Sequence, residues 1–156
     1  MIWIIIIKTT DKKMKILIDT PIWSLAFRHK NDCGDNLNAK HINELSELVE
    51  NNQVILVGPV RQEVLSGISN LKQFNLLKKK LSAFDNDPIG LSEYELATEL
   101  FNKCRKNGIQ GSHIDFLICS ISIINKYKIY TIDNDFLNYS KFIDIERYKP
   151  RFDLKE

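Results

Sequence analysis

Three apolar runs in this chain break off at residues suited to opening a helix. "ILIDTPIW" (16–23) sets Asp19, Thr20 and Pro21 after an aliphatic triplet. "ILVGPVRQE" (55–63) sets Gly58 and Pro59 after another, and "YTIDNDF" (130–136) ends a β-branched run on Asp133. Proline fits the first helical position, where its missing N–H would have had no partner. Apolar runs without polar alternation mark strands covered on both faces. The pattern predicts strands at Lys15–Ile18, Val54–Val57, Lys128–Ile132 and Phe142–Ile145. Between them, apolar residues recur at helical spacing in Leu37–Val49, Pro59–Ile68, Leu71–Phe84, Ser92–Lys106 and His113–Asn125. Strands that alternate with helices predict an α/β domain around a mostly parallel sheet.

Composition sets the limits. The 156 residues are 44% hydrophobic and 27% charged, enough for one core. A net charge of +2 permits a polyanionic partner without requiring one. The basic clusters Lys78–Lys80, Lys103–Lys106 and Arg147–Arg151 read first as solvated helix faces or tails. Cys33, Cys104 and Cys119 are odd in number and lack CxxC spacing. They exclude a disulfide framework or zinc knuckle and fit a reducing, cytoplasmic compartment; Cys119 reads as a core thiol. The run Ile2–Ile7 is too short to span a membrane and lacks a signal-peptide cleavage pattern. Met14 directly precedes "KILIDT", so residues 1–13 read as an extension and 14–156 as the single domain.

In a parallel sheet the ligand crevice lies beyond the carboxyl ends of the strands. That places Asp19, Glu63 and Asp133 near one edge, with Asp115 joining them if the helix opening at "GSHIDF" starts there. Each acid also has a local explanation. Asp caps helices and suits the first turn, Ser112-His-Ile-Asp115 has capping-box spacing, and Asp133 is placed to cap a short helix through Asn138. Thr20 is the better cap candidate before Pro21. Four ionisable groups on one edge, however, repel one another. A bound cation explains that cost, and carboxylates without a His/Cys cluster suit Mg²⁺ or Mn²⁺, an arrangement used in phosphodiester hydrolysis.

Taken together, "ILIDTPIW" (16–23), "VRQEVLSG" (60–67), "GSHIDFLICSISI" (111–123) and "YTIDNDF" (130–136) resemble the PIN-domain ribonucleases, and more closely the VapC-type toxins of toxin–antitoxin pairs, over about residues 14–145. The resemblance implies a three-layer α/β/α sandwich. It implies an endoribonuclease dependent on Mg²⁺ or Mn²⁺, acting on structured RNA such as tRNA. It further implies a cognate antitoxin that lays a peptide over an anionic groove, a homodimer, and action in the cytoplasm. By motif, the metal-site and catalytic acids are Asp19, Glu63, Asp115 and Asp133. Thr131 matches the hydroxyl residue before the last acid, and Asp135 is peripheral. Asn is common in the family at the place of Asp133, so that position is less strict. Residues 1–13 have no place in the pattern, and "RHKNDCGDNLNAK" (28–40) reads as a polar, loop-like insert.

Around the acids, Arg28 is a candidate for contact with RNA phosphate. Arg61 either steers phosphate or pairs with an acid. His113 is either a phosphate contact or proton carrier, or a solvent-facing residue at a helix start. His29 and His41 have no partner pattern and read as surface. Trp23 and Phe27 read as a core stripe rather than a base-stacking platform. Two alternatives stand beside the toxin reading. One is a housekeeping PIN-like RNA- or DNA-processing nuclease. The other is a non-catalytic PIN-like binding module, which would be expected to have lost the acids. A receiver-type phosphoacceptor domain would need an early acid pair, and "ILIDT" offers one acid.

Overall fold

The computed structural model describes residues 13–28 and 36–154. The expected extension falls, apart from Lys13, outside the described residues, as do His29, Cys33, most of the polar insert and the Arg28 side chain. Among these residues, three short parallel strands form the sheet: β1 (Ile16–Ile18), β2 (Val54–Ile55) and β3 (Lys128–Tyr130), in the order β2-β1-β3. Strand β1 is central. Leu17 lies opposite Ile55 on one side and Ile129 on the other. Ile16, Leu17 and Ile18 are all fully buried, as expected for a strand covered on both faces.

Among the described residues, seven helices surround the sheet: α1 (Thr20–Arg28), α2 (Asn36–Glu50), α3 (Gly58–Leu65), α4 (Leu71–Leu81), α5 (Leu91–Lys106), α6 (His113–Asn125) and α7 (Asp135–Tyr139). Helix α1 packs on α2 and α3, and α3 on α4. Helices α5 and α6 form a second pair, with α6 against β3. The result is the expected α/β sandwich. Trp23 explains how α1 is anchored. It is buried, donates its indole N–H to the Ile18 carbonyl (3.2 Å), and stacks on Phe27 with Phe84 edge-on. The core-stripe reading of Trp23 and Phe27 holds.

Four expectations are corrected. Phe142–Ile145 is not a strand. Phe142 and Ile143 both donate their N–H to the Tyr139 carbonyl, closing a turn that buries Ile143 and Ile145. The chain meets the sheet later, where Arg147 bridges Ile129 in parallel. The insert is shorter than expected, because Asn36–Lys40 already belongs to α2. Thr20 does not cap α1 with its side chain; the Asp19 carbonyl accepts the first helical N–H groups, and the Thr20 hydroxyl goes to Glu63. His41 is buried rather than on the surface, with Nδ1 2.7 Å from the Tyr130 hydroxyl.

The basic clusters find structural places. Lys78–Lys80 and Lys103, Arg105 and Lys106 fill the last turns of α4 and α5, where positive charge suits the helix dipole. Arg151 pairs with Glu44 and Glu47 on α2. Glu44, itself buried, also accepts from the Tyr148 hydroxyl. This clamp holds the C-terminal 3₁₀ turn (Arg151–Leu154) against the domain.

Candidate functional site

Because β1 and β3 run parallel, both end at the same edge, and the chain turns there into the next element. Asp19 is the first residue past β1. Its N–H bonds to the Tyr130 carbonyl (2.9 Å), which carries the ladder one residue beyond the strands. The side chain is therefore fixed where α1 begins, and it is only 4% exposed. Oδ1 accepts the Thr20 N–H (2.9 Å), and Oδ2 accepts the Thr131 hydroxyl (2.7 Å). Thr131 in turn accepts the Asp133 N–H (3.0 Å).

Glu63 comes from α3, which opens at Gly58 with Pro59 in its first turn. Its Oε2 accepts the Thr20 hydroxyl at 2.5 Å. Thr20 thus joins two acids that are 44 positions apart in the chain, its N–H on Asp19 and its hydroxyl on Glu63. Asp115 sits in the first turn of α6. It forms the expected capping box with Ser112, whose hydroxyl accepts the Asp115 N–H (3.0 Å). Asp115 Oδ2 receives the Ser112 N–H (3.4 Å) and, at 2.7 Å, the Tyr139 hydroxyl.

The electrostatics single out Asp19. Burial pushes its carboxyl up from 3.8 to about 6; the bonds from Thr131 and Thr20 oppose this, and the charges of Asp115 and Glu63 add to it. Among the described residues, none of Asp19, Glu63, Asp115 and Asp133 forms an ion pair with Lys or Arg. Glu63 and Asp115, from two other elements, thus both act on Asp19, and among the described residues no Lys or Arg pairs with any of the three.

Asp133 is placed differently. Half-buried, it accepts the Asp135 N–H on Oδ1 (2.9 Å) from one residue ahead of Asn134, which holds the N-cap position of α7 without a side-chain cap bond. Its tie to Asp19 runs through Thr131 alone. Asp135 is exposed. His113 is exposed too and stacks on Phe101, with ring centroids 4.8 Å apart. Arg61 is corrected. Its guanidinium donates to the Leu81 and Phe84 carbonyls, both at 2.8 Å, and so ties the end of α4 rather than steering phosphate. Sequence reasoning missed Tyr139, because nothing local announces a partner 24 residues from Asp115.

Among the described residues, no three His, Cys, Asp or Glu side chains converge closely enough to form a ready-made metal cage. The donors are nevertheless those of a hard cation. Mg²⁺ keeps several waters and takes only one or two carboxylates directly, so a spaced acid set with uncompensated charge fits it.

No protein-family model matches the sequence, and no curated protein matches it. Solved structures do. A chain of FitAcB from Neisseria gonorrhoeae superposes with a TM-score of 0.67 at 18% identity, covering 86% of this chain and 97% of that one. A chain of VapBC2 from Rickettsia felis, bound to a DNA fragment from its promoter, gives 0.67 at 17% identity, covering 86% and 98%. A toxin–antitoxin complex from Klebsiella pneumoniae gives 0.56 at 17%, covering 77% and 88%. At these identities the likeness establishes the fold.

Proposed function

We propose that this chain is a Mg²⁺- or Mn²⁺-dependent endoribonuclease that serves as the toxin of a toxin–antitoxin pair. The observation that carries the reading is Asp19. It is a carboxylate almost wholly removed from water, without a cationic partner, and two further acids act on it. A buried charge of this kind is costly unless something compensates it, and a divalent cation would do so. The fold shared with FitAcB, VapBC2 and the Klebsiella complex supports the toxin part of the proposal.

Asp19, Glu63 and Asp115 would hold the ion, with Asp133 reaching it directly or through a water. When bound, the ion supplies a Lewis acid that activates water for attack on phosphorus and neutralises charge on the leaving oxygen. The protein's own part is orientation. Thr131 and the Thr20 N–H hold the two oxygens of Asp19, and the Thr20 hydroxyl holds Glu63. His113, exposed and two residues before Asp115, is the proposed phosphate contact. The proposed partners are an RNA substrate such as tRNA, a second copy of the chain in a homodimer, and a cognate antitoxin that brings a basic side chain to the acids. The proposed setting is the cytoplasm. Among the described residues, no helix is long and apolar enough to cross a membrane.

The test is cleavage of total RNA by the purified chain with Mg²⁺ or Mn²⁺, beside an Asp19→Asn variant and an EDTA control. Cleavage is expected only from the wild-type chain with metal. Equal cleavage by the variant would show the acids are not the site.

A further inference from the structure

The bond from Tyr139 to Asp115 links α7 to α6 at the candidate site. Tyr139 is fully buried at the end of α7, with its ring against Phe116 (centroids 4.8 Å apart) and Phe136 (5.4 Å). Its hydroxyl reaches Asp115 Oδ2 at 2.7 Å. The chain leaves room for it at Gly111, just before the capping box. A Cβ on Gly111 would lie 2.7 Å from Tyr139 Cζ and 2.8 Å from Phe116 Cε2, closer than side chains tolerate.

The capping box alone holds the Asp115 carboxylate loosely, because the Ser112 N–H stands 3.4 Å from Oδ2, beyond the usual range for such a bond. The Tyr139 contact is short and part-buried, and it falls on the same oxygen. Oδ1 therefore keeps its lone pairs for another ligand. Asp133 holds the first turn of α7 through the Asp135 N–H. The five-residue helix is thus tied to one acid at its start and to another at its end.

We propose that Tyr139 is a positioning residue for Asp115, fixing Oδ2 so that Oδ1 faces a bound divalent cation, and that Gly111 is the space that lets it do so. The proposal rests on the metal-nuclease reading above. Tyr139→Phe keeps the ring packing and removes only the hydroxyl. Hydrogen-bond partners one shell outside a metal typically change affinity 10–100-fold.

The experiment titrates Mn²⁺ into the full chain and follows free Mn²⁺ by electron paramagnetic resonance, with thermal midpoints measured alongside. Tyr139→Phe is expected to weaken Mn²⁺ binding by about 10-fold. Gly111→Ala, which displaces the tyrosine, should shift binding in the same direction. Combining the two should weaken Mn²⁺ binding little beyond either alone, because both remove the Tyr139–Asp115 bond. A purely structural role would lower the thermal midpoint and leave the Mn²⁺ Kd within twofold of wild type; that result overturns the proposal alone. Failure of the wild-type chain to bind Mn²⁺ overturns the metal reading, and this proposal with it.

Discussion

Asp19 makes a prediction whose sign differs from the usual effect of altering a buried, hydrogen-bonded residue. Replacing Asp19 by Asn should stabilise the metal-free protein at neutral pH. The folded carboxyl is raised from 3.8 to about 6, chiefly by burial. Below about pH 4 it is protonated in both the folded and unfolded states, and its charge costs nothing. As pH rises from about 4 to about 6, the unfolded chain ionises first, and folding loses stability over that interval. Above the folded value the loss is complete. For a group only 4% exposed, a rise from 3.8 to about 6 corresponds to ~3 kcal/mol. The introduced amide keeps an acceptor for the Thr20 N–H, but it leaves the Thr131 proton to find another partner, which offsets about 1 kcal/mol.

The expected gain is therefore about 2 kcal/mol at pH 7.5, or roughly 4–8 °C in thermal midpoint for a chain of this size. The assay is thermal or urea unfolding of both proteins in EDTA, from pH 4 to pH 8. Other titrating groups cancel in the difference, so the gap between the curves reports Asp19. It should open between pH 4 and pH 6 and stay level above that. Added Mg²⁺ should raise the wild-type midpoint and narrow the gap. A variant less stable than wild type at pH 7.5, or a gap that does not change with pH, would refute the claim that Asp19 holds an uncompensated charge.

Two further outcomes test the surrounding architecture. Arg61→Met removes a guanidinium from the Leu81 and Phe84 carbonyls and should cost about 2–3 kcal/mol in urea unfolding. It should leave the salt dependence of RNA binding unchanged, where loss of a phosphate contact would reduce it. Glu44→Ala strips the acceptor from Tyr148 and Arg151 and should cost about 2–4 kcal/mol, with limited proteolysis cutting first within residues 146–154.

How much of this was legible in the sequence depended on distance along the chain. Strand β1 could be read because Ile16, Leu17 and Ile18 are consecutive and buried on both faces, a pattern carried by neighbours alone. Phe142–Ile145 has the same composition for another reason. Its apolar side chains fill the core under a turn, while pairing with β3 falls on polar residues further on, with the Ile129 N–H to Glu146 and the Tyr148 N–H to Ile129. In α2 the apolar repeat was visible, but the buried face also carries His41 and Glu44. Their partners Tyr130, Tyr148 and Arg151 lie 89, 104 and 107 residues away, beyond any local pattern.

Asp19, Asp115 and Asp133 were legible because each stands beside or just inside the start of a helix, and that position is also why they looked like caps; Glu63 lies further along α3. A bond to a helix-start N–H and a place in the proposed site do not exclude one another. Asp115 and Asp133 each give one oxygen to backbone N–H groups at a helix start, and Asp19 gives one to the Thr20 N–H. Capping needs an acceptor but no net charge, so Asn, Ser or Thr would serve it as well. It fixes the carboxylate's orientation through contacts the helix needs in any case. The charge is the part that folding does not require, and at Asp19 folding works against it. Asp→Asn substitutions therefore separate the two roles. Where only the bond to a helix-start N–H matters, the amide should leave folding and cleavage nearly unchanged. Where the charge matters, as argued for Asp19, it should raise stability and abolish cleavage together. A gain in stability paired with a loss of activity at the same residue is the expected mark of a group retained for chemistry.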